Sequence, residues 1–171
     1  KACGDKREII IMVYTVGVAD TKISGDDEDL LITYALGSCL GVTVYDFKKK
    51  KGALLHCMSP DSSIDREKAA GNPSVYVDTG MKAMMDNFYR NGSRKNDLII
   101  RVAGGASSKM NQAEDFFQIG RRNFVSLRKY LWDEGLMLKA SDVGGYGSRT
   151  VTLEIANGKM IIKSQGSLKE L

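Results

Sequence analysis

The sequence predicts an α+β fold: a layered sandwich of mixed and antiparallel β-sheets with two main helices. Three observations carry that expectation. Short β-branched, alternating runs recur along the 171 residues, most of them joined by brief polar turns. Two segments instead show the wider apolar spacing of amphipathic helices. Those helices do not alternate with strands in strict β-α-β order, which disfavours a doubly wound parallel sheet.

Taken in order, residues 8–18 (Glu-Ile-Ile-Ile-Met-Val-Tyr-Thr-Val-Gly-Val) read as a buried strand, being too uniformly apolar to be half exposed. Residues 24–29 form an acidic turn, and 30–35 a second strand leading into Gly37-Ser38-Cys39. Residues 41–47 and 53–58 pair as a hairpin across Lys48-Lys-Lys-Lys-Gly52, a solvated tip. Residues 61–73, rich in Asp, Ser, Gly and Asn, read as a surface loop. A helix starts at Ser74: Val77, Met81, Met84, Met85 and Phe88 lie on one stripe, the methionines as core filling, and Asn91-Gly92 stops it. Residues 98–103 are a strand ending in Gly104-Gly105. The stretch 107–118 is irregular, and a second helix spans about 120–134, with Phe124, Leu127 and Leu131 inward and Gly135 closing it. Residues 140–145 make a short strand and turn. Residues 150–155 and 159–163 flank Asn157-Gly158, a two-residue hairpin signal, and the polar tail 164–171 is expected to fray.

Composition narrows the function. The chain is 43% hydrophobic and 27% charged, ordinary for one domain, with a core over about 8–163. A net charge of +4, without a recognition motif, does not argue for nucleic acid. Three cysteines, Cys3, Cys39 and Cys57, make no disulfide framework and suit a reducing, cytoplasmic setting. Lys6-Arg7 and the apolar run after it lack a clear cleavage site, and no segment is apolar for long enough to span a membrane.

The chemistry centres on Cys39 and on His56, the single histidine. Alone, a cysteine after Gly-Ser reads as a small buried hydrophobe and a lone histidine as structural. Together they sit at opposite ends of one predicted hairpin, so local pairing alone brings them close. An adjacent imidazole lowers a thiol's pKa and can later protonate a leaving group. Thr33 is the candidate to orient the imidazole, and the N–H groups of Gly37 and Ser38 are candidates for an oxyanion hole. Strand alternation puts Cys57 on the face opposite His56, which assigns it to packing and argues against zinc. No metal and no cofactor are expected. Gly104, Gly105, Gly144 and Gly145 are candidates for close approach to a substrate, or simply for tight turns.

The motifs Val16-Gly-Val-Ala-Asp20, Thr33-x-x-Leu-Gly-Ser-Cys39, Val44-Tyr-Asp46, His56-x-Met58-x-Pro60, Tyr76-x-Asp78-Thr79, Gly104-Gly105-Ala106, Ile119-Gly120-x-Arg122-Asn123 and Asp142-Val-Gly-Gly145 resemble the CheD family of chemoreceptor glutamine deamidases. The likeness runs from about residue 12 to 163. It implies a cysteine hydrolase that converts receptor glutamines to glutamates, with some members hydrolysing methyl-glutamate esters. By position it implies Cys39 as nucleophile, His56 as base and acid, and Thr33 as the orienting residue. It also implies chemoreceptors as substrates, the CheC phosphatase as partner, and a fold similar to the cytotoxic-necrotizing-factor catalytic domain. Ser59 and the stretch Gly144-Gly-Tyr-Gly-Ser-Arg149 depart from the family pattern near the loops expected to rim the site. A second reading, from a different class, is a catalytically weak module that docks on CheC or receptors. A cysteine protease is a third.

Overall fold

The computed structural model describes residues 11–171. Its first sheet takes strands from both ends of the chain, in the order β1 (Val13–Thr15), β3 (Leu30–Leu36), β8 (Arg149–Glu154), β9 (Met160–Ser164) and β10 (Ser167–Glu170). The second is ordered β2 (Asp20–Ser24), β5 (Lys51–Cys57), β4 (Leu40–Asp46), β6 (Leu98–Gly104) and β7 (Leu138–Val143). Both are mixed, with parallel pairs β1–β3 and β6–β7 and otherwise antiparallel ladders. Helices α1 (Arg66–Gly71), α2 (Val77–Arg90) and α3 (Ile119–Asp133) complete the set. The α+β class and its layering are as expected.

Two apolar layers hold the sandwich. Leu31, Leu36, Val151, Leu153, Met160 and Ile162 of the first sheet meet Leu54 and Ala103 of the second. On its other face the second sheet packs Leu40, Val42, Val44, Leu55, Ile100 and Val102 against Met81, Met84, Met85 and Phe88 of α2 and Leu127 and Leu131 of α3. Strand β4 is therefore buried along its whole length, as a strand covered on both faces must be. Each large side chain enclosed this way contributes about 1.5–3 kcal/mol.

Several expectations are corrected. The run predicted as a buried strand over 8–18 forms strand only at Val13–Thr15, at a sheet edge with all three residues exposed; residues 8–10 lie outside the described residues, as does Cys3. Only Val16 of its later part enters the core. Strand β2 was not foreseen. The loop 61–73 contains α1, capped by the Asp65 carboxylate accepting from Lys68 N–H at 2.9 Å. The β8–β9 turn is longer than two residues: Glu154 N–H donates to Lys159 O, so the turn runs over 155–158. The tail expected to fray supplies β10, paired antiparallel with β9.

Candidate active site

The chain crosses from the first sheet to the second twice at one end of the sandwich, through residues 16–19 and through Gly37-Ser38-Cys39. The second crossing follows an irregularity in β3: pairing with β8 shifts between Thr33 and Leu36, and Ala35 takes φ +56°. This bulge turns the strand out of its sheet and delivers Cys39 to the start of β4.

His56 lies between the two sheets, 1% exposed. Its carbonyl accepts from Ala19 N–H at 2.8 Å, on the first crossing. Its Nδ1 is 2.8 Å from Thr33 Oγ1, and that hydroxyl donates to Val16 O at 2.7 Å. A hydroxyl has one proton. With it committed to Val16, Thr33 accepts from Nδ1–H, which leaves the lone pair on Nε2. That nitrogen is buried and has no hydrogen-bond partner. Burial holds the imidazole below its ordinary pKa of 6.5, so it is a neutral base at pH 7.

Gly41 pairs directly with His56, and the ladder's last pair is Leu40 with Cys57. A Cβ on Gly41 would stand 2.7 Å from Leu36 Cδ1, so glycine here makes room for the Leu36 side chain. Cys39 precedes Gly41 by two residues, immediately before β4, and packs against the inter-sheet cluster. No hydrogen bond joins its sulfur to Nε2 in this state. Burial pushes the Cys39 thiol above its ordinary 9.0, partly offset by its own backbone N–H. The expectation that the imidazole lowers the resting thiol is thus corrected: burial dominates both groups and favours the neutral form of each. Cys57 faces the helical core, donates to Leu40 O at 3.7 Å and is pushed by burial to about 12.

The loop is clamped by its carbonyls. Ala106 N–H donates to Gly37 O at 2.9 Å and Gly105 N–H to Cys39 O at 2.8 Å, while Asn123 Nδ2 donates to Ser38 O at 2.9 Å and to Met58 O at 3.1 Å. Among the described residues, the N–H groups of Gly37, Ser38 and Cys39 have no hydrogen-bond acceptor outside their own residues. Such a loop presents three amide donors on a fixed frame.

The glycine pairs divide. At Gly104 (φ +111°) a Cβ would lie 2.2 Å from Cys39 O, and a Cβ on Gly120 would lie 2.4 Å from Gly105 O. Gly104 and Gly105 thus permit close backbone approach within the chain itself, to the Cys39 loop and to the start of α3. Gly144 and Gly145 face open space and border a cleft of about 270 Å³ with Gly105, Ser107, Asp115 and Phe124. Ser59 is half-buried, its N–H bonded to Val75 O and its carbonyl to Val77 N–H. Arg149 is tied to Asp142 and Gly144 O, both at 2.9 Å. Asn123, Gly41 and the Val16 carbonyl carry parts of this site to which sequence reasoning gave no role. Only the Ile119-Gly-x-Arg-Asn123 motif could have pointed to the first.

Exposed apolar side chains lie close in sequence to the site segments. Val18, Tyr34 and Met58 each neighbour a site segment in the chain. The loop 107–118 starts and returns at the clamp: Ala106 holds Gly37, and Gly120 packs on Gly105. Asp115 braces it, its carboxyl held below the ordinary range by hydrogen bonds from the Ser107 hydroxyl and from the N–H groups of Ser108 and Gln118. The loop displays Met110, Phe116 (91% exposed) and Phe117.

Comparison with known proteins gives the family. A family profile described as CheD chemotactic sensory transduction matches residues 58–164. The chain is 44% identical to a probable chemoreceptor glutamine deamidase CheD of Solibacter usitatus, covering 91% of each chain. It is 43% identical to a probable chemoreceptor glutamine deamidase CheD 1 of Syntrophus aciditrophicus, over 91% of this chain and 97% of that one. To the corresponding protein of Pyrococcus abyssi it is 38% identical, over 85% and 87%. Likeness of this extent shows that the chain belongs to the CheD family.

Proposed function

We propose that this chain is a chemoreceptor glutamine deamidase, a cysteine amidohydrolase that turns receptor glutamine side chains into glutamates. The observation that carries the reading is the hydrogen-bonded line Val16 O, Thr33, His56, which leaves the Nε2 lone pair without a partner. Family membership and the relatives' names support the substrate.

The Cys39 thiol passes its proton to His56 Nε2 as the sulfur attacks the carboxamide carbon. The N–H groups of Gly37 and Ser38 receive the oxyanion. The imidazolium returns its proton to the leaving nitrogen, which departs as ammonia, and leaves a thioester on Cys39. Water, deprotonated by His56, then hydrolyses the thioester to the carboxylate and restores the thiol. A methyl-glutamate ester would follow the same course with methanol leaving. Because the resting thiol is neutral, the proton transfer accompanies the attack of the sulfur on its electrophile.

A protein side chain must reach this sulfur. The exposed Phe116, Phe117 and Met58 beside the site suit docking on another protein, and Gly144 and Gly145 offer an open rim. Among the described residues no helix is long and apolar enough to cross a membrane. We read the chain as a single deamidase domain that works in the cytoplasm, takes CheC as a second partner, and has the layered arrangement of the cytotoxic-necrotizing-factor catalytic domain.

The test is to incubate the protein with a chemoreceptor cytoplasmic fragment and follow glutamine-to-glutamate conversion by mass spectrometry. Conversion is expected with the native protein and only background with Cys39→Ala. Conversion by Cys39→Ala overturns the assignment, and stoichiometric binding without turnover would establish the docking module instead.

A further inference from the structure

Asn123 lies on the inward face of α3, wholly excluded from solvent. Its Nδ2 spends both protons, on Ser38 O at 2.9 Å and on Met58 O at 3.1 Å. Both neighbours are acceptors only, so the amide can face just one way. The remaining oxygen, Oδ1, is buried without a partner.

The two carbonyls belong to the two strands of the site. Ser38 immediately precedes Cys39, and Met58 follows His56 by two residues. The β4–β5 ladder ends at Leu40 and Cys57. Beyond that pair the strands part: Met58 N–H turns to Val75 O, and Cys39 O to Gly105 N–H. Asn123 bridges the gap where the ladder's own bonds have stopped. For helix stability and packing alone an apolar residue would serve better, since asparagine is a poor helix interior residue and an orphaned buried acceptor is costly.

We propose that Asn123 is a positioning residue, which sets Cys39 at working distance from His56 by holding the nucleophile loop to the end of the base's strand. The inference rests on the reading of Cys39 and His56 as the reacting pair. It requires no contact between Asn123 and the substrate.

The coupling between the two reacting groups is the quantity to measure. Alkylation of Cys39 by iodoacetamide at neutral pH, resolved by peptide so that other cysteines do not count, reports it without any substrate. In the native protein, His56→Asn is expected to slow this alkylation by about tenfold. In an Asn123→Ala background the same change is expected to make less than about a twofold difference, because the imidazole no longer addresses the sulfur. Leu127→Ala, which hollows the core under the same helix and touches neither carbonyl, is expected to keep the full His56 dependence. On the receptor fragment, Asn123→Ala lowers kcat and leaves KM within about threefold.

An unchanged His56 effect in the Asn123→Ala background overturns the proposal, as does its equal loss in Leu127→Ala. If Asn123→Ala does not fold, Asn123→Gln carries the same cycle, its amide displaced by one methylene. A native protein whose Cys39 alkylation ignores His56→Asn refutes the reacting pair itself, and the positioning role falls with it.

Discussion

Thr33 Oγ1 and His56 Nδ1 lie 2.8 Å apart although they belong to different sheets. The bond spans the inter-sheet layer, so the orientation of the imidazole depends on how the whole sandwich packs. The proton of Thr33 is committed to Val16 O, which decides the tautomer. Replacing Thr33 by Val keeps the shape and removes both bonds. It is expected to cost roughly 1–3 kcal/mol, because a buried N–H and a carbonyl lose their partner, or about 2–12 °C in Tm at this chain length. Deamidation is expected to fall by about 10–100-fold with KM little changed, measured by conversion kinetics on a receptor fragment.

The pH dependence of stability follows from His56. Its pKa is lowered in the fold by burial, so below the ordinary 6.5 the unfolded chain takes up a proton that the folded one resists. Stability from this source is present above 6.5 and is lost progressively as pH falls below it. The chain has one histidine, and carboxylates titrate mainly at lower pH. Tm is therefore expected to decline between about pH 6.5 and 5 in the native protein, and to stay nearly flat there in His56→Asn. An equal decline in both, by differential scanning fluorimetry, would assign it elsewhere.

What the sequence disclosed and what it hid follow from range. The β4–β5 hairpin was legible because its partners are neighbours across a lysine turn. The α2 stripe was legible because five apolar residues at helical spacing need one buried face, and all five are buried. The apolar letters of β1 misled, since Val13 and Tyr14 sit exposed at a sheet edge. Strand β2, Asp-Thr-Lys-Ile-Ser, is an edge strand whose polar letters conceal it. Thr33 and His56, read together in the sequence, meet in the structure. The clamp was not legible, because Asn123 meets Ser38 across 85 positions and no local pattern encodes such a bond.

Glycine substitutions separate the two pairs. Gly104→Ala would put a Cβ 2.2 Å from the Cys39 carbonyl at φ +111°, a clash of backbone with side chain that no rotamer relieves. It is expected to cost at least about 3 kcal/mol and to remove deamidation. Gly144→Ala meets nothing within 4 Å and bears only the cost of φ +81°, about 1 kcal/mol, with activity retained. Thermal melts and conversion assays on the two variants check this, and equal losses would mean that the close approach at Gly104 is unimportant.

Phe116 and Phe117 offer the last test, because nothing among the described residues covers them. The loop that carries them is braced at Asp115 and anchored at both ends on the nucleophile clamp. If they form a contact for the receptor helix, replacing both with Ser removes binding surface that is used equally in ground and transition states. Such a loss raises KM and leaves kcat unchanged. The expected rise is about tenfold or more, since each buried phenylalanine is worth about 1.5–3 kcal/mol. Iodoacetamide does not need the docking surface, so its rate with Cys39 is expected to match the native protein. A fall in both rates would instead mean that the loop shapes the clamp, whereas a selective rise in KM places the two rings on the path by which the glutamine arrives.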